Sequence, residues 1–216
     1  DRAPRKDARS CVSRCKDARS CVSRCKDARY CVSKTKLMTE FPIEHRAIVE
    51  ALLQEGRFLL EGEAEFTVLK DNLDFYRSFF VASFGVSLKF HGDFAYLESN
   101  RENDAFSRDV CIFLGVLSYE LDREGRNLTE ALAFQSFSFE EVEQMLELTS
   151  FREILESSRN LRDPLTRRNF YNRLQRRRII DRLDEETFRF TAAHKLFQEF
   201  AREMATIRVD IQGEEE

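Results

Sequence analysis

Residues 163–190 read DPLTRRNFYNRLQRRRIIDRLDEETFRF. Asp163 is an acidic residue suited to capping a helix. Pro164 suits the first helical turn, where its missing N–H costs nothing. Phe170, Leu174 and Arg177 share one side of the helix that follows. The period then changes from helical to alternating. Ile179 to Leu183 and Thr187 to Phe190 read as two strands about a tip at Asp184-Glu185-Glu186, with Phe188 and Phe190 on one face. The tip has no glycine, so the turn itself is weakly marked. A last helix is predicted from Ala193 to Ala205, with Leu196, Phe197, Phe200 and Met204 inward, and residues 207–216 read as a frayed acidic tail.

Moving outward, the same order appears earlier in the chain. Pro42 suits a first helical turn. Ile43, Ala47, Ile48, Ala51 and Leu52 recur at helical spacing, closed by Gly56. Phe66, Leu69, Leu73, Tyr76 and Phe80 predict one long helix ending at Gly85. Val86, Leu88 and Phe90 then alternate, His91-Gly92-Asp93 connect, and Phe94 and Tyr96 alternate again, which predicts a hairpin. Between the two copies, Ser107 is a candidate cap for a helix with Val110, Phe113, Leu114, Leu117 and Leu121 inward, ended by Gly125. Ser138 with Glu141 predicts a capping box before Val142, Met145 and Leu146. Phe151, Ile154 and Leu155 suggest one more short turn. The order is helices, hairpin, helices, hairpin, helix. It predicts a mainly α chain with small β-hairpins (α+β), built as tandem winged-helix domains over residues 38–106 and 107–216. The first copy shows one long helix before its wing, so a helix there is fused or missing.

Composition narrows the function. The chain has 216 residues, 42% hydrophobic and 34% charged, enough to bury a core and stay soluble. Its net charge of −4 hides a split. Residues 1–37 carry 12 Lys/Arg against 4 Asp/Glu, and residues 38–216 carry 23 against 35, a net −12. A body this acidic is a poor general binder of nucleic acid, so a DNA contact needs a local basic patch, and a basic or mixed protein partner is the simpler expectation. Beyond residue 37 the single cysteine is Cys111, which fits a reducing cytoplasm. No apolar run is long enough to span a bilayer, and no signal peptide is visible.

Residues 6–15 read KDARSCVSRC, residues 16–25 repeat them unchanged, and residues 26–35 read KDARYCVSKT. Met38 follows, so Met38 is a candidate natural start and residues 1–37 a non-native extension. Two other readings stand beside a disordered or extraneous arm. One is a basic arm for DNA. The other is a loose zinc site from Cys11, Cys15, Cys21, Cys25 and Cys31. The repeat has no His and no turn residues to close such a site.

Residues 159–182 hold nine arginines against Asp163 and Asp181. On the helix opened by Pro164, Arg168, Asn172, Gln175 and Arg176 fall away from Phe170. Arg forks phosphate or guanine, and Asn or Gln pairs adenine. With Arg178 and Arg182 these residues make the candidate DNA-binding set. The competing reading is a solvated outer face, or arginines paired with acids in this chain or a partner. Phe75, Phe79, Phe80 and Phe84 are read as core, or as a partner or dimer seam if exposed. Catalytic motifs are absent. His45, His91 and His194 sit in no metal or nucleophile pattern, and no glycine-rich phosphate loop occurs. No cofactor is expected, and an enzyme would need distant carboxylates to converge.

Two stretches carry a resemblance. Residues 56–99, GRFLLEGEAEFTVLKDNLDFYRSFFVASFGVSLKFHGDFAYLES, resemble the first half of the MksE and MukE-like subunits of bacterial condensins. NFYNRLQRRRIIDRLDEETFRF, residues 169–190, looks like the second winged helix of that family. The resemblance covers roughly residues 43–207 and rests on apolar patterning. It implies a kleisin-associated tandem winged-helix (KITE) subunit, often homodimeric, that binds a kleisin. The kleisin in turn bridges an SMC-type ATPase, and the complex entraps DNA. Such a subunit is non-enzymatic, cytoplasmic and nucleoid-associated, and serves chromosome segregation or plasmid restriction. The alternatives are a free-standing winged-helix transcription regulator and a metal-dependent hydrolase or nuclease.

Overall fold

The computed structural model describes residues 41–98 and 105–200, so the cysteine repeat and residues 201–216, including Met204, lie outside the described residues. The first described helix, α1 (His45–Val49), passes into a π-helical turn, Glu50–Gln54. Ile48, Ala51 and Leu52 are buried as expected. Ile43 is not, being 97% exposed. The chain is still in a turn there, closed by the His45 N–H on the Pro42 carbonyl at 3.0 Å, so the helical period does not reach back to Pro42.

β1 (Leu59–Leu60) follows. Two residues are too few to show an alternating period, which is why the sequence hides this strand. The single long helix expected next is two, α2 (Ala64–Asp71) and α3 (Leu73–Phe84). Asn72 separates them. Its side-chain amide donates to the Val68 carbonyl at 2.9 Å and so satisfies the end of α2 while the backbone leaves the helix. The helix that looked missing from the first copy is therefore present. Gly85 ends α3 at φ 66°, a conformation open to glycine, with its N–H on the Val81 carbonyl. β2 (Ser87–His91) and β3 (Phe94–Glu98) form the expected hairpin. His91 pairs with Phe94, so the connection is Gly92-Asp93, two residues and not three. The antiparallel sheet has the order β1-β3-β2.

In the second half α4 (Ala105–Arg123) buries Phe106, Val110, Phe113, Leu117 and Leu121. Ser107 lies inside it and is not its cap. α5 (Leu128–Phe134), unmarked in the apolar pattern, is capped by Asn127, whose side chain accepts the Glu130 N–H at 3.1 Å. β4 (Ser136–Ser138) leads into α6 (Phe139–Leu148). Ser138 caps α6 by accepting the Glu140 N–H. The expected partner Glu141 makes no capping box; it takes Arg126 at 2.5 Å instead. α7 (Arg152–Ser157) and α8 (Pro164–Arg176) follow. Asp163 and Thr166 cap α8 reciprocally. The second hairpin is β5 (Ile180–Arg182) and β6 (Thr187–Phe190). Asp184 does the work of the missing glycine: its carboxylate accepts the N–H groups of Glu186 and Thr187 at 2.8 and 2.7 Å. The sheet order, β4-β6-β5, repeats that of the first half.

The described part of the last helix, α9, spans 194–200. Phe197 is buried and Leu196 packs at the core edge, but Phe200 is 51% exposed and does not face inward. One core holds Ile48, Leu59, Phe66, Tyr76 and Phe80 under the first sheet. A second gathers Phe113, Phe137, Phe170, Leu174 and Phe188, and draws in Phe58, Leu60 and Phe94 from the first half. Each such phenylalanine contributes about 2–3 kcal/mol by leaving water.

Candidate nucleic-acid and partner interfaces

The arginines of α8 sort into three kinds. Arg167 points inward with Phe170, Tyr171 and Leu174 and is buried. Its Nε reaches both Glu143 carboxylate oxygens, at 3.0 and 2.8 Å, and its Nη1 donates to the Leu161 carbonyl at 3.1 Å. The Tyr171 hydroxyl donates to the same carboxylate at 2.7 Å. Burial, and then the Glu143 charge, push the Tyr171 hydroxyl well above its ordinary range. For Arg167 burial is the largest single influence and opposes the charged form, but the Glu143 hydrogen bonds and the charges of Glu143, Tyr171 and Glu147 together outweigh it, and its pKa rises. Sequence reading missed this network. The spacing 167, 170, 171, 174 was the available signal, since it puts Arg167 on the apolar side.

The second kind braces the fold. The guanidinium carbons of Arg173 and Arg177 lie 4.2 and 4.5 Å from the Phe106 ring centroid. Arg177 was expected inward and is half-buried at the C-cap, where its carbonyl accepts the Phe58 N–H at 3.0 Å. Arg178, at φ 60°, reaches Glu63 at 3.0 Å and Asp181 at 2.6 Å. Glu63 stands at the N-cap position of α2 in the first half, and its carboxylate also receives Arg57 at 3.2 Å. Arg178, a member of the candidate DNA set, is thus already bound to two carboxylates.

The third kind faces outward. Arg168, Gln175 and Arg176 are exposed. Neither Arg168 nor Arg176 has an ion pair among the described residues. Arg182 is exposed, 5.0 Å from the Phe139 ring centroid, and donates to the Asn172 amide oxygen at 2.9 Å. Arg168, Asn172 and Arg182 share one groove of about 380 Å³ with Phe139, Pro164 and Tyr171. Gln175 and Arg176 lie toward the other end of α8, and Arg176 lines a polar hollow with Gln54 and Arg173.

The aromatic stripe of α3 is graded. Phe80 is fully buried, Phe75 and Phe79 pack at the core edge, and Phe84 is 45% exposed beside Val81 at 57%. His45 meets the Phe79 ring edge-on at 5.1 Å. Burial lowers the pKa of His45, and raises that of Tyr76 to about 12, helped by Glu44. A further apolar groove between β3, α4 and α9 contains Tyr96, Ile112, Phe197 and the thiol of Cys111, which burial pushes up to about 11. Among the described residues no group of three or more His, Cys, Asp or Glu is placed to hold a metal, and no helix is long and apolar enough to cross a membrane.

The fold defines a mainly helical protein with two small three-stranded antiparallel sheets and an arginine-lined outer helix. A family model described as the condensin complex protein MksE matches residues 44–202, and the chain belongs to the MksE family. That membership makes it a subunit of a multi-subunit, SMC-like condensin complex. None of the curated proteins compared matches the chain.

Proposed function

We propose that this protein is a non-catalytic accessory subunit that binds the kleisin of an SMC-type complex and helps hold DNA within it. In this reading each three-stranded sheet with its helices is a winged-helix unit of KITE type, the hairpins β2–β3 and β5–β6 being the wings. The repeated strand order supports it: in both halves a short strand lies beside the second strand of the hairpin. The acidic body suits a protein partner more than free DNA. The exposed apolar face at Val81 and Phe84 is the proposed seam of a homodimer. The place of work is cytoplasmic and nucleoid-associated, in chromosome segregation or plasmid restriction.

The observation that carries the DNA part is the pair Arg168 and Arg176, exposed on one helix without ion pairs among the described residues. With Gln175 they form the centre of the proposed contact. Asn172 and Arg182 flank it, and Arg178 sets its end. Replacing Arg168→Glu and Arg176→Glu leaves kleisin binding intact and weakens duplex binding by the assembled complex. The slope of log affinity against log salt falls by roughly 0.9 for each phosphate that is no longer neutralised. Unchanged affinity and slope at moderate salt remove the DNA assignment. The second reading, a free-standing transcription regulator, rests on the same arginines. It requires the isolated protein to shift duplex DNA with sequence preference.

A further inference from the structure

We propose that the groove between α8 and the last hairpin is a docking site for a peptide segment that carries one apolar side chain beside a carboxylate. Its walls are Phe139, Pro164 and the edge of Tyr171, and its volume of about 380 Å³ takes a side chain or two. Two cations face it. Arg168 and Arg182 have no ion pair among the described residues, so their charge is unmatched on the side where an occupant would lie. Arg182 is also ordered in advance, 5.0 Å from the Phe139 ring centroid and bonded to Asn172 at 2.9 Å. A guanidinium already held costs less entropy to engage.

The carboxylates of the groove decide between a peptide and a nucleic acid. Glu143 is matched by Arg167 and leaves no free charge. Glu185 stands on the rim, on a hairpin tip that reads Asp184-Glu185-Glu186. A phosphate rail carries charge at every step and would meet the acids of that tip, whereas a peptide need bring only one carboxylate for the arginine pair. The walls supply what an aromatic or aliphatic anchor needs. The groove shares Arg168, Asn172 and Arg182 with the proposed DNA contact, so a docked segment and duplex compete for these residues while Arg176 serves duplex alone; the occupant is a segment of a partner protein with the chemistry stated.

The test uses the full chain and fluorescence anisotropy. The probe is a labelled peptide with one phenylalanine between two aspartates in a Gly/Ser frame. One control replaces the aspartates by lysine, the other the phenylalanine by alanine. The acidic phenylalanine peptide binds, and both controls bind at least about tenfold more weakly. Arg182→Glu removes the binding, Arg182→Gln weakens it while keeping a hydrogen bond for Asn172, and Arg176→Glu leaves it unchanged. Equal binding of either control, no binding of the acidic peptide at millimolar concentration, or wild-type binding by a folded Arg182→Glu protein overturns the proposal. So does an Arg182→Glu protein that loses duplex affinity and keeps the peptide. The DNA reading fails separately, through Arg176→Glu on duplex.

Discussion

Replacing Arg167 by methionine keeps most of the buried stem and removes the guanidinium. The side chain of Arg167 is 5% exposed and that of Glu143 is 24% exposed. Losing the cation strands the Glu143 carboxylate and leaves the carbonyl of Leu161, a fully buried residue, without its donor. Removing one member of a buried pair costs about 3–5 kcal/mol. Water reaches Glu143 from its open side, so about 3 kcal/mol is expected, toward the low end of that range. For a folded unit of this size, roughly 2–4 °C per kcal/mol gives a fall in Tm of about 6–12 °C. Circular dichroism melts and urea titrations measure it. Adding Glu143→Leu to Arg167→Met costs much less than the sum of the two single changes, because each already breaks the pair. A single-variant shift under about 2 °C, or additivity within about 0.5 kcal/mol, refutes the argument that this pair fixes α8.

Phe80→Ala, which empties a fully buried site, costs about 3–5 kcal/mol, whereas Phe84→Asp changes stability by under about 1 kcal/mol and shifts sedimentation toward monomer. Cys111, with its thiol pushed up to about 11 from 9.0, carries roughly 100-fold less thiolate at neutral pH than an ordinary cysteine and alkylates correspondingly slowly, as read on its own peptide by mass spectrometry. Asp163, held below 3.8 first by the Thr166 N–H, and Asp184, held below 3.8 first by the Thr187 hydroxyl, stabilise the fold fully above pH 3.8. Their contribution is lost as pH falls through the folded values. Asp163→Asn therefore lowers stability by a constant amount above about pH 5 and flattens the acid limb of the unfolding curve. Glu185→Lys with Glu186→Lys raises duplex affinity, since the acidic tip repels phosphate; unchanged affinity in a gel shift denies the tip that role.

Elements with strong local chemistry were legible in the sequence. The Asp163-Pro164 start of α8 and the glycine at the end of α3 follow from cap and turn residues, and both hairpins from the alternation of their strands. β1 and β4 were not, because two or three residues carry no period and their pairing is set by a distant strand. Nor was the break at Asn72, since Phe66 to Phe80 keep a helical period across it while one side-chain amide ends α2. The local charge of residues 159–182 was visible as a total, but its division was not. Arg167 and Arg178 are consumed by Glu143 and Glu63, 24 and 115 residues away. Helical spacing sets Arg167 on the apolar side, but only tertiary contact separates Arg178 from Arg168 and Arg176.

This MksE-family chain is proposed to grip another polypeptide within its SMC-like complex. Native mass spectrometry of the chain purified from its own cells tests it most directly. A stoichiometric assembly with a kleisin and an SMC-type ATPase is the predicted result. The chain recovered free of both, and bound by itself to a specific duplex, would instead be a free-standing DNA-binding protein.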